Sequence, residues 1–262
     1  MKTIPTYSRS PHRGFTLVEL LVVISIIGIL AGMLLPALVR GKVQTQTKRA
    51  QMEIGNIVAA VNQYESTYSR LPVSSNALNA AVAVSDDFTY GGIFQSPAGP
   101  VTVAVPGVSY KADNREVMAI LLDLENYANG TPTINQGHVK NPQRIKFLNA
   151  TTVGDTRSPG VGIDGVYRDP WGNPYVITVD LNYDEKCRDA FYRNPAVSQS
   201  AASSPAGLNG LYNGADAQGN GPHFELPNAK VMVWSAGYDK KIDPTVKANQ
   251  GVNRDNVLSW KQ

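Results

Sequence analysis

Few residues of this chain have the types and spacing that catalysis requires. The 262 residues include three histidines and one cysteine, which are His12, His138, His223 and Cys187. The histidines form no two-histidine metal motif, no GxSxG nucleophile turn is present, and Cys187 has no histidine nearby in the sequence. Isolated histidines on glycine- and asparagine-flanked loops are usually solvated. The sequence therefore predicts a protein that is not an enzyme.

Acidic and amide side chains could bind a metal ion in two places. Segment 180–184 has the opening spacing of an EF-hand loop, but the glycine and bidentate glutamate of that loop are missing. The better candidate is loop 236–256, which follows a predicted strand. Its candidate ligands are Ala236, Asp239, Asp243, Asn253, Asp255 and Asn256. They predict a structural Ca²⁺ site, with solvated loop acids as the alternative because Lys240 and Lys241 compete for the carboxylates.

One acid interrupts a long apolar run near the amino end. From Phe15 to Val39 the polar side chains are Thr16, Glu19 and Ser25, and about twenty helical residues span the roughly 30 Å of membrane hydrocarbon. A carboxylate in lipid is costly, and the run holds no lysine or arginine to pair with Glu19. Its partner must be another chain, a lipid headgroup or an amino group created by cleavage near Phe15. Snorkelling of Glu19 to the interface is the alternative.

Basic residues precede this run and account for the positive net charge of the chain. The sequence has 24 Lys and Arg against 21 Asp and Glu, and Lys2, Arg9 and Arg13 account for the excess. The remainder is neutral, so no nucleic-acid partner is predicted. The positive-inside rule leaves the amino terminus in the cytoplasm and the bulk of the chain outside. A cleaved secretory signal fits less well, since its apolar stretch is shorter.

The apolar run also contains features of helix packing, and it continues into an amphipathic segment. Gly28 and Gly32 form a small-xxx-small face, and Pro36 removes a backbone hydrogen bond and bends the helix. Beyond the membrane, one helical stripe is predicted to pack on the sheet of a globular head. This stripe comprises Val43, Ala50, Ile54, Ile57, Val61, Tyr64, Tyr68 and Leu71.

The contiguous segment 14–22, GFTLVELLV, resembles the processing site of type IV prepilins and of the pseudopilins of type II secretion. The resemblance implies that a prepilin peptidase cuts between Gly14 and Phe15, and that Phe15 is then N-methylated. It also implies that Glu19 pairs with the amino terminus of a neighbouring subunit during assembly.

Two later segments are similar to the major pseudopilin branch of type II secretion. One is the turn 169–175, DPWGNPY, whose Trp171 and Tyr175 should bury surface on either side. The other is 235–239, SAGYD, and this resemblance supports calcium in the loop that follows. Residues 73–168 match no part of that family.

Residues 72–262 read as a small sheet with many loops. We expect loops over 72–110 with a short strand at 101–105, a helix capped by Asp113 and ending at 129–130, strands at 175–180 and 230–234, and a loop at 195–223. The predicted fold class is α+β, pilin-like, with a long amino-terminal helix packed on an antiparallel sheet. The predicted regions are a leader, 1–14; a transmembrane half-helix, 15–39; an amphipathic half-helix, 40–71; and an extracytoplasmic head, 72–262.

The resemblance implies a structural subunit, most closely a type II secretion pseudopilin in a short periplasmic filament that drives protein export. The implied partners are other pseudopilins, the prepilin peptidase and an inner-membrane secretion platform. The chain would cross the inner membrane once. A type IV pilin or minor pilin for adhesion, motility or DNA uptake is the alternative, and a membrane-anchored extracellular hydrolase is a remote one.

Overall fold

A computed structural model of the chain describes residues 14–201, 204–214, 221 and 223–261. The chain divides into two compact units, Met1–Gln44 and Thr45–Gln262. Helix α1, Leu17–Tyr68, contributes residues to both. Of the predicted leader, residues 1–13 lie outside the described residues. The predicted division into leader, membrane half, amphipathic half and head stays a prediction.

The described residues form an α+β architecture, which confirms the predicted fold class. The helices after α1 are α2 (Ser75–Val84), α3 (Arg115–Leu121) and α4 (Pro195–Ser198). The strands are β1 (Phe88–Tyr90), β2 (Gly92–Phe94), β3 (Val101–Val103), β4 (Gly160–Val161), β5 (Tyr167–Arg168), β6 (Val176–Val179), β7 (Lys186–Cys187), β8 (Tyr212–Gly214), β9 (His223–Pro227), β10 (Val231–Ser235) and β11 (Val257–Leu258). Short 3₁₀ turns occupy Gln136–His138, Leu208–Gly210 and Gly251–Asp255.

The central sheet is antiparallel, with strand order β1-β6-β10-β11. Its register pairs Thr89 with Thr178 and Met232 with Thr178. Two hairpins, β2-β3 and β4-β5, and a three-stranded sheet, β7-β9-β8, lie outside it. The strands predicted at 175–180 and 230–234 are therefore β6 and β10, at the centre of the fold.

The second half of α1 packs on one face of this sheet as the stripe predicts. Ala50, Ile54, Ile57, Val61 and Tyr64 are at most 1% exposed. They share one apolar core with residues of β6 and β10, which are Ile177, Val179, Val231 and Val233. Burial of apolar area contributes about 25 cal/mol per Å², so this stripe is a main source of stability for the second unit.

The other face of the sheet is covered by a second core rich in aromatic residues. Successive strand residues point to opposite faces, so Val176, Met232 and Trp234 face away from α1. The Trp234 ring lies 5.3 to 5.7 Å from those of Tyr192, Phe191 and Phe94. Its indole N–H donates to buried Asp189 at 3.0 Å. Residues 187–197 and the C-terminal loop cover this face.

Residues of segment 73–168 hold the carboxyl end of α1 through hydrogen bonds. Tyr64 donates its hydroxyl to the Lys140 carbonyl at 2.6 Å, and Tyr68 donates to the Asn141 side chain at 2.7 Å. Asn141 also donates to the carbonyls of Ile120 and Ile145. One asparagine therefore links α1, α3 and the loop that follows α3.

Three local predictions need correction. Segment 72–110 is more ordered than predicted, because Ser74 caps α2 by accepting the Ala77 N–H at 3.0 Å. The helix predicted from Asp113 to 129–130 ends at Leu121, since Asp123 has left-handed φ of 56°. Asp113 instead forms a two-pronged ion pair with Arg115. Segment 195–223 was predicted as loop, but α4, β8 and the start of β9 lie within it.

Buried charges join strands that are distant in sequence. Arg188 pairs with Glu225 at 2.7 Å and Asp86 at 3.5 Å, and Arg193 pairs with Asp86 at 2.6 Å. Beside them, the Asp87 carboxylate accepts the Arg188 backbone N–H at 2.6 Å. Burial, with added repulsion from Asp180, raises the pKa of Asp87 to about 8.

This shift predicts that the head loses stability as the pH rises. The unfolded chain ionises Asp87 near its ordinary pKa of about 3.9. The folded chain keeps the proton until about pH 8, so the free energy of unfolding should fall between those values. Asp87→Asn, which resembles the protonated acid, should remove most of that fall, which is about 4 kcal/mol between pH 5 and pH 8 at about 1.4 kcal/mol per unit. Urea unfolding of residues 45–262 at pH 5, 6.5 and 8 measures it. Asp155→Asn is the control, because Asp155 is exposed and hydrogen bonds from Ser158 and Arg157 lower its pKa to about 2, so that it stays ionised at all three pH values. Equal pH dependence in both variants would contradict the assignment.

Candidate functional site

The predicted processing residues sit where an exposed chain enters α1. Gly14 and Phe15 are exposed, with Phe15 at 74%, and they precede the first helical residue, Leu17. Glu19 Oε2 accepts the backbone N–H of Thr16 at 2.8 Å and its hydroxyl at 2.7 Å. Thr16 Oγ1 in turn accepts the Glu19 N–H at 3.2 Å. This reciprocal pair is a capping box, which closes the first turn of a helix.

The capping box supplies a partner for Glu19 within its own chain, which the sequence reasoning missed. The signal was present, since threonine followed three residues later by glutamate marks a helix start. The two donors of Thr16 are both neutral, and both donate to the same oxygen of Glu19, Oε2. The predicted pairing of Glu19 with a neighbouring subunit stays a prediction.

The small residues of α1 make no close contact inside the described chain. A methyl group added at Gly28 or Gly32 would meet nothing within 4 Å. α1 runs without interruption through Pro36, and a window of this helix has mean hydropathy 2.7, enough to cross a membrane by length and composition. Within the described residues there is thus room for a larger side chain at Gly28 and at Gly32. Their predicted role in packing between helices is untested.

The turn 169–175 is organised by a buried carboxylate. Asp169 Oδ1 accepts the backbone N–H groups of Trp171 and Asn173 at 2.9 and 2.8 Å, and Oδ2 accepts the Asn173 amide at 2.8 Å. Desolvation raises the pKa of Asp169. Gly172 has φ of 92°, and a β-carbon there would lie 2.6 Å from a carbonyl oxygen, so only glycine fits this turn.

The same turn joins two segments that the sequence analysis could only treat separately. The Ser235 hydroxyl donates to Asp169 Oδ2, and the Asn173 amide donates to the Gly237 carbonyl at 3.0 Å. Towards α1, Gln46 donates to the Pro170 carbonyl at 3.1 Å and Tyr175 donates to Glu53 at 2.6 Å. The turn 169–175 therefore connects α1 with the C-terminal loop, and Asp169 holds the turn in shape.

The predicted metal ligands fall into two pairs and two single residues. Asp255 Oδ2 accepts the Asp239 N–H at 3.0 Å, and Asn253 Oδ1 accepts the Asp243 N–H at 2.8 Å. Asn256 donates its amide to Tyr192 at 2.8 Å, and Ala236 is fully buried. Desolvation raises the pKa of both Asp239 and Asp255.

Asp239 and Asp255 fit a hard cation best, because both carboxylates are partly desolvated and adjacent. Asn253 is already occupied, with its amide donating to the carbonyls of Asp243 and Val246 at 2.8 and 2.7 Å. Within the described ranges, no group of three or more histidine, cysteine or acidic side chains is placed to hold a metal ion. A calcium ion here would therefore need backbone carbonyl ligands as well.

His138 is less solvated than predicted. Its Nδ1 lies 2.8 Å from Asp123 and its Nε2 lies 3.1 Å from Glu125, with the side chain 14% exposed. The Gly137 N–H donates to the same Glu125 carboxylate at 3.0 Å. These contacts hold the 3₁₀ turn Gln136–His138 against the end of α3, which is a structural role.

Comparison with known proteins identifies the amino-terminal segment. A family described as the prokaryotic N-terminal methylation motif matches residues 9–35. The chain is similar to "Type II secretion system core protein G" of Klebsiella michiganensis, 35% identical over 28% of this chain and 52% of that protein. The protein of the same name from Pectobacterium carotovorum is 34% identical over 29% and 51%. The chain thus spans about half the length of these relatives.

A fimbrial relative is matched over more of its length. "Fimbrial protein EcpC" of Eikenella corrodens is 32% identical over 45% of this chain and 76% of that protein. No solved structure matches the chain. This similarity covers 118 residues of the chain, more than the 27 residues, 9–35, of the methylation motif.

Because Asp169 satisfies four donors from two segments, its loss should destabilise the head strongly. Asp169→Ala would leave buried N–H and hydroxyl groups of Trp171, Asn173 and Ser235 without acceptors. The expected loss is about 3 kcal/mol of unfolding free energy, measured by urea denaturation. Asp155→Ala is a matched control, since Asp155 also accepts three such bonds but is exposed. Equal losses of unfolding free energy in the two variants would show that burial of Asp169 does not increase its contribution to stability.

Proposed function

We propose that this chain, which belongs to the pilin-like family carrying the prokaryotic N-terminal methylation motif, is a structural subunit of a filament. The carrying observation is the matched motif at residues 9–35 together with the exposed, apolar first part of α1. Such a surface is stable in a membrane or against other copies of the same helix, but not in water. The relatives are named as secretion and fimbrial proteins, which supports a non-enzymatic role.

The more specific proposal is a type II secretion pseudopilin. Several relatives carry that system's name, and the buried turn 169–175 provides the segment that resembles the major pseudopilin branch. The subunit would be anchored in the inner membrane with its amino terminus in the cytoplasm and its head in the periplasm. It would add to a short filament of other pseudopilins on an inner-membrane secretion platform and drive protein export mechanically.

A type IV pilin or minor pilin is the second candidate. The observation that favours it is the longer match to the fimbrial protein of Eikenella corrodens. Both candidates share processing by a prepilin peptidase between Gly14 and Phe15 and methylation of Phe15. They differ in what the filament does, so its length and position in the cell distinguish them.

Glu19 is proposed to direct assembly by charge. In the free chain its carboxylate accepts two hydrogen bonds from Thr16, and both donors are neutral. The amino group that cleavage would create at Phe15 of a neighbouring subunit carries a positive charge. An ion pair in lipid is much more favourable than either charge alone, so the pair would select correctly placed subunits.

Calcium is proposed as a structural ligand of loop 236–256. Asp239 and Asp255 lie side by side with raised pKa values, and a divalent cation would relieve their repulsion. These two carboxylates with backbone carbonyls would hold it. The ion would join the two ends of the loop.

The charge proposal predicts that Glu19→Gln assembles poorly. Glutamine can keep the capping box with Thr16, so the variant removes the charge and leaves the helix start intact. Immunogold labelling of cells that make the protein at native level should show few or no filaments for Glu19→Gln and for Glu19→Ala. The unchanged chain should give short filaments confined to the envelope, whereas long surface fibres would favour the pilin.

Processing serves as the control in that experiment. Mass spectrometry of the membrane fraction should find both variants beginning at Phe15 with one methyl group. An intact leader in the unchanged chain would contradict the proposed function. Normal filaments from Glu19→Gln would show that capping, and not charge, is the contribution of Glu19.

The calcium proposal predicts a higher melting temperature in calcium than in EGTA for residues 45–262. Binding to the folded state alone adds about 2.7 kcal/mol at a calcium concentration 100 times Kd. Asp239→Asn should remove the difference, while Asp184→Asn should retain it. Identical melting in excess calcium and in excess EGTA would leave Asp239 and Asp255 as ordinary loop acids.

A further inference from the structure

One cleft of the head combines an apolar floor with an excess of positive charge. It has a volume of about 550 Å³ and is lined by Ile93, Val103, Val166 and Pro174, with three cationic side chains and two carboxylates at its sides. Ile93 is 70% exposed. Clefts of about 300–1,000 Å³ with a few polar groups are typical binding sites.

The excess charge of this cleft belongs to Lys111. Arg115 is paired with Asp113 at 2.7 Å, and Arg168 is paired with Asp164 at 2.6 Å. Lys111 is exposed, and it forms no ion pair with any residue that the structure describes. The cleft is therefore suited to a group that has both apolar surface and a negative charge.

A surface with those properties lies on the same head. Residues 182–185, here called the knob, are all exposed and place Tyr183 between Asn182 and two acids, Asp184 and Glu185. Tyr183 is 59% exposed. Neither acid forms an ion pair within the described part of the chain, so the knob combines an aromatic ring with two unpaired negative charges.

The knob is held rigidly in an uncommon backbone conformation. Tyr183 and Glu185 have left-handed φ of 58° and 62°, which is unfavourable for large side chains. Buried Asp180 accepts the Glu185 N–H at 3.1 Å, and the Ala229 N–H donates to the Glu185 carbonyl at 3.3 Å. This fixed backbone presents Tyr183 outward, so little conformational freedom would be lost on docking.

Cleft and knob lie at opposite ends of β6. Pro174, just before β6, lines the cleft, and the adjacent Tyr175 donates to Glu53 of α1. The knob follows Asp180, whose N–H donates to the carbonyl of Lys230, and Lys230 pairs with Glu65 of α1. Glu53 and Glu65 are about 18 Å apart along a helix that rises 1.5 Å per residue. The two surfaces therefore face different ends of the head.

We propose that the knob of one subunit docks into the cleft of a second copy of this chain, with Tyr183 on the apolar floor and Asp184 or Glu185 paired with Lys111. The two surfaces are different and lie at opposite ends, so the contact is head-to-tail and each pair of subunits retains one free cleft and one free knob. Heterologous contacts of this kind build an open filament when the rotation between successive copies does not close a ring. This inference rests on the proposed filament function and assigns the head its own axial contact.

Disulfide cross-linking of full-length chains in cells tests the contact. Lys111→Cys in one tagged copy and Glu185→Cys in another should give a mixed dimer on mild oxidation. Cys187 is fully buried and should not interfere. Lys111→Cys with Val82→Cys is the matched control and should give no such dimer, since Val82 is also exposed, at 65%, but lies on α2.

Charge reversal provides an independent measurement. One copy carries Asp184→Cys in the knob, and a second copy carries Ile93→Cys in the cleft. Adding Lys111→Glu to both copies should lower the cross-linked fraction about tenfold. Adding Glu185→Lys to both copies should restore it. Filaments that form without any cleft-to-knob cross-link would overturn the contact alone. Failure of the unchanged chain to form filaments would overturn the proposed function and the contact together. A cross-link from the cleft only to a different protein would also overturn the contact.

Discussion

The second unit depends on one constraint, that its central sheet is buried on both faces. Every residue of β6 and β10 is buried, so side chains on each face need a covering layer. The outer half of α1 supplies one layer and the aromatic cluster around Trp234 supplies the other. The rest of the head follows from this requirement. Segments 73–168 and 187–197 supply further buried side chains to the two cores.

Burying so much irregular backbone creates N–H groups that no strand or helix satisfies, and carboxylates satisfy many of them. Asp169 accepts two backbone N–H groups within a turn, and Asp189 accepts those of Phe191 and Tyr192. Each carboxylate also receives a side-chain donor from β10, namely Ser235 for Asp169 and Trp234 for Asp189. Two aspartates thus attach both loops to the same central strand.

The sequence was informative where the pattern is local and periodic. The apolar run, the stripe from Ala50 to Tyr64 and strands β6 and β10 all follow from spacing along the chain. Long-range contacts could not be predicted from local spacing: Asp169 accepts from Ser235 across 66 residues, and Asn114, which directly precedes α3, donates its side-chain amide to the carbonyls of Tyr167 and Tyr175. α2 was missed because an alanine- and valine-rich segment was read as loop despite Ser74 at its start. The processing motif was readable because it is contiguous, whereas the 182–185 knob becomes visible only when backbone conformation is known.

The capping box at the start of α1 also bears on how easily subunits could be exchanged. Glu19 already accepts two hydrogen bonds from Thr16 in the single chain, both at Oε2, so an external donor could bind Oε1 while the first turn of the helix stays capped. The helix start is then the same in a free and in an assembled subunit, so no local refolding would be needed when a partner binds or leaves.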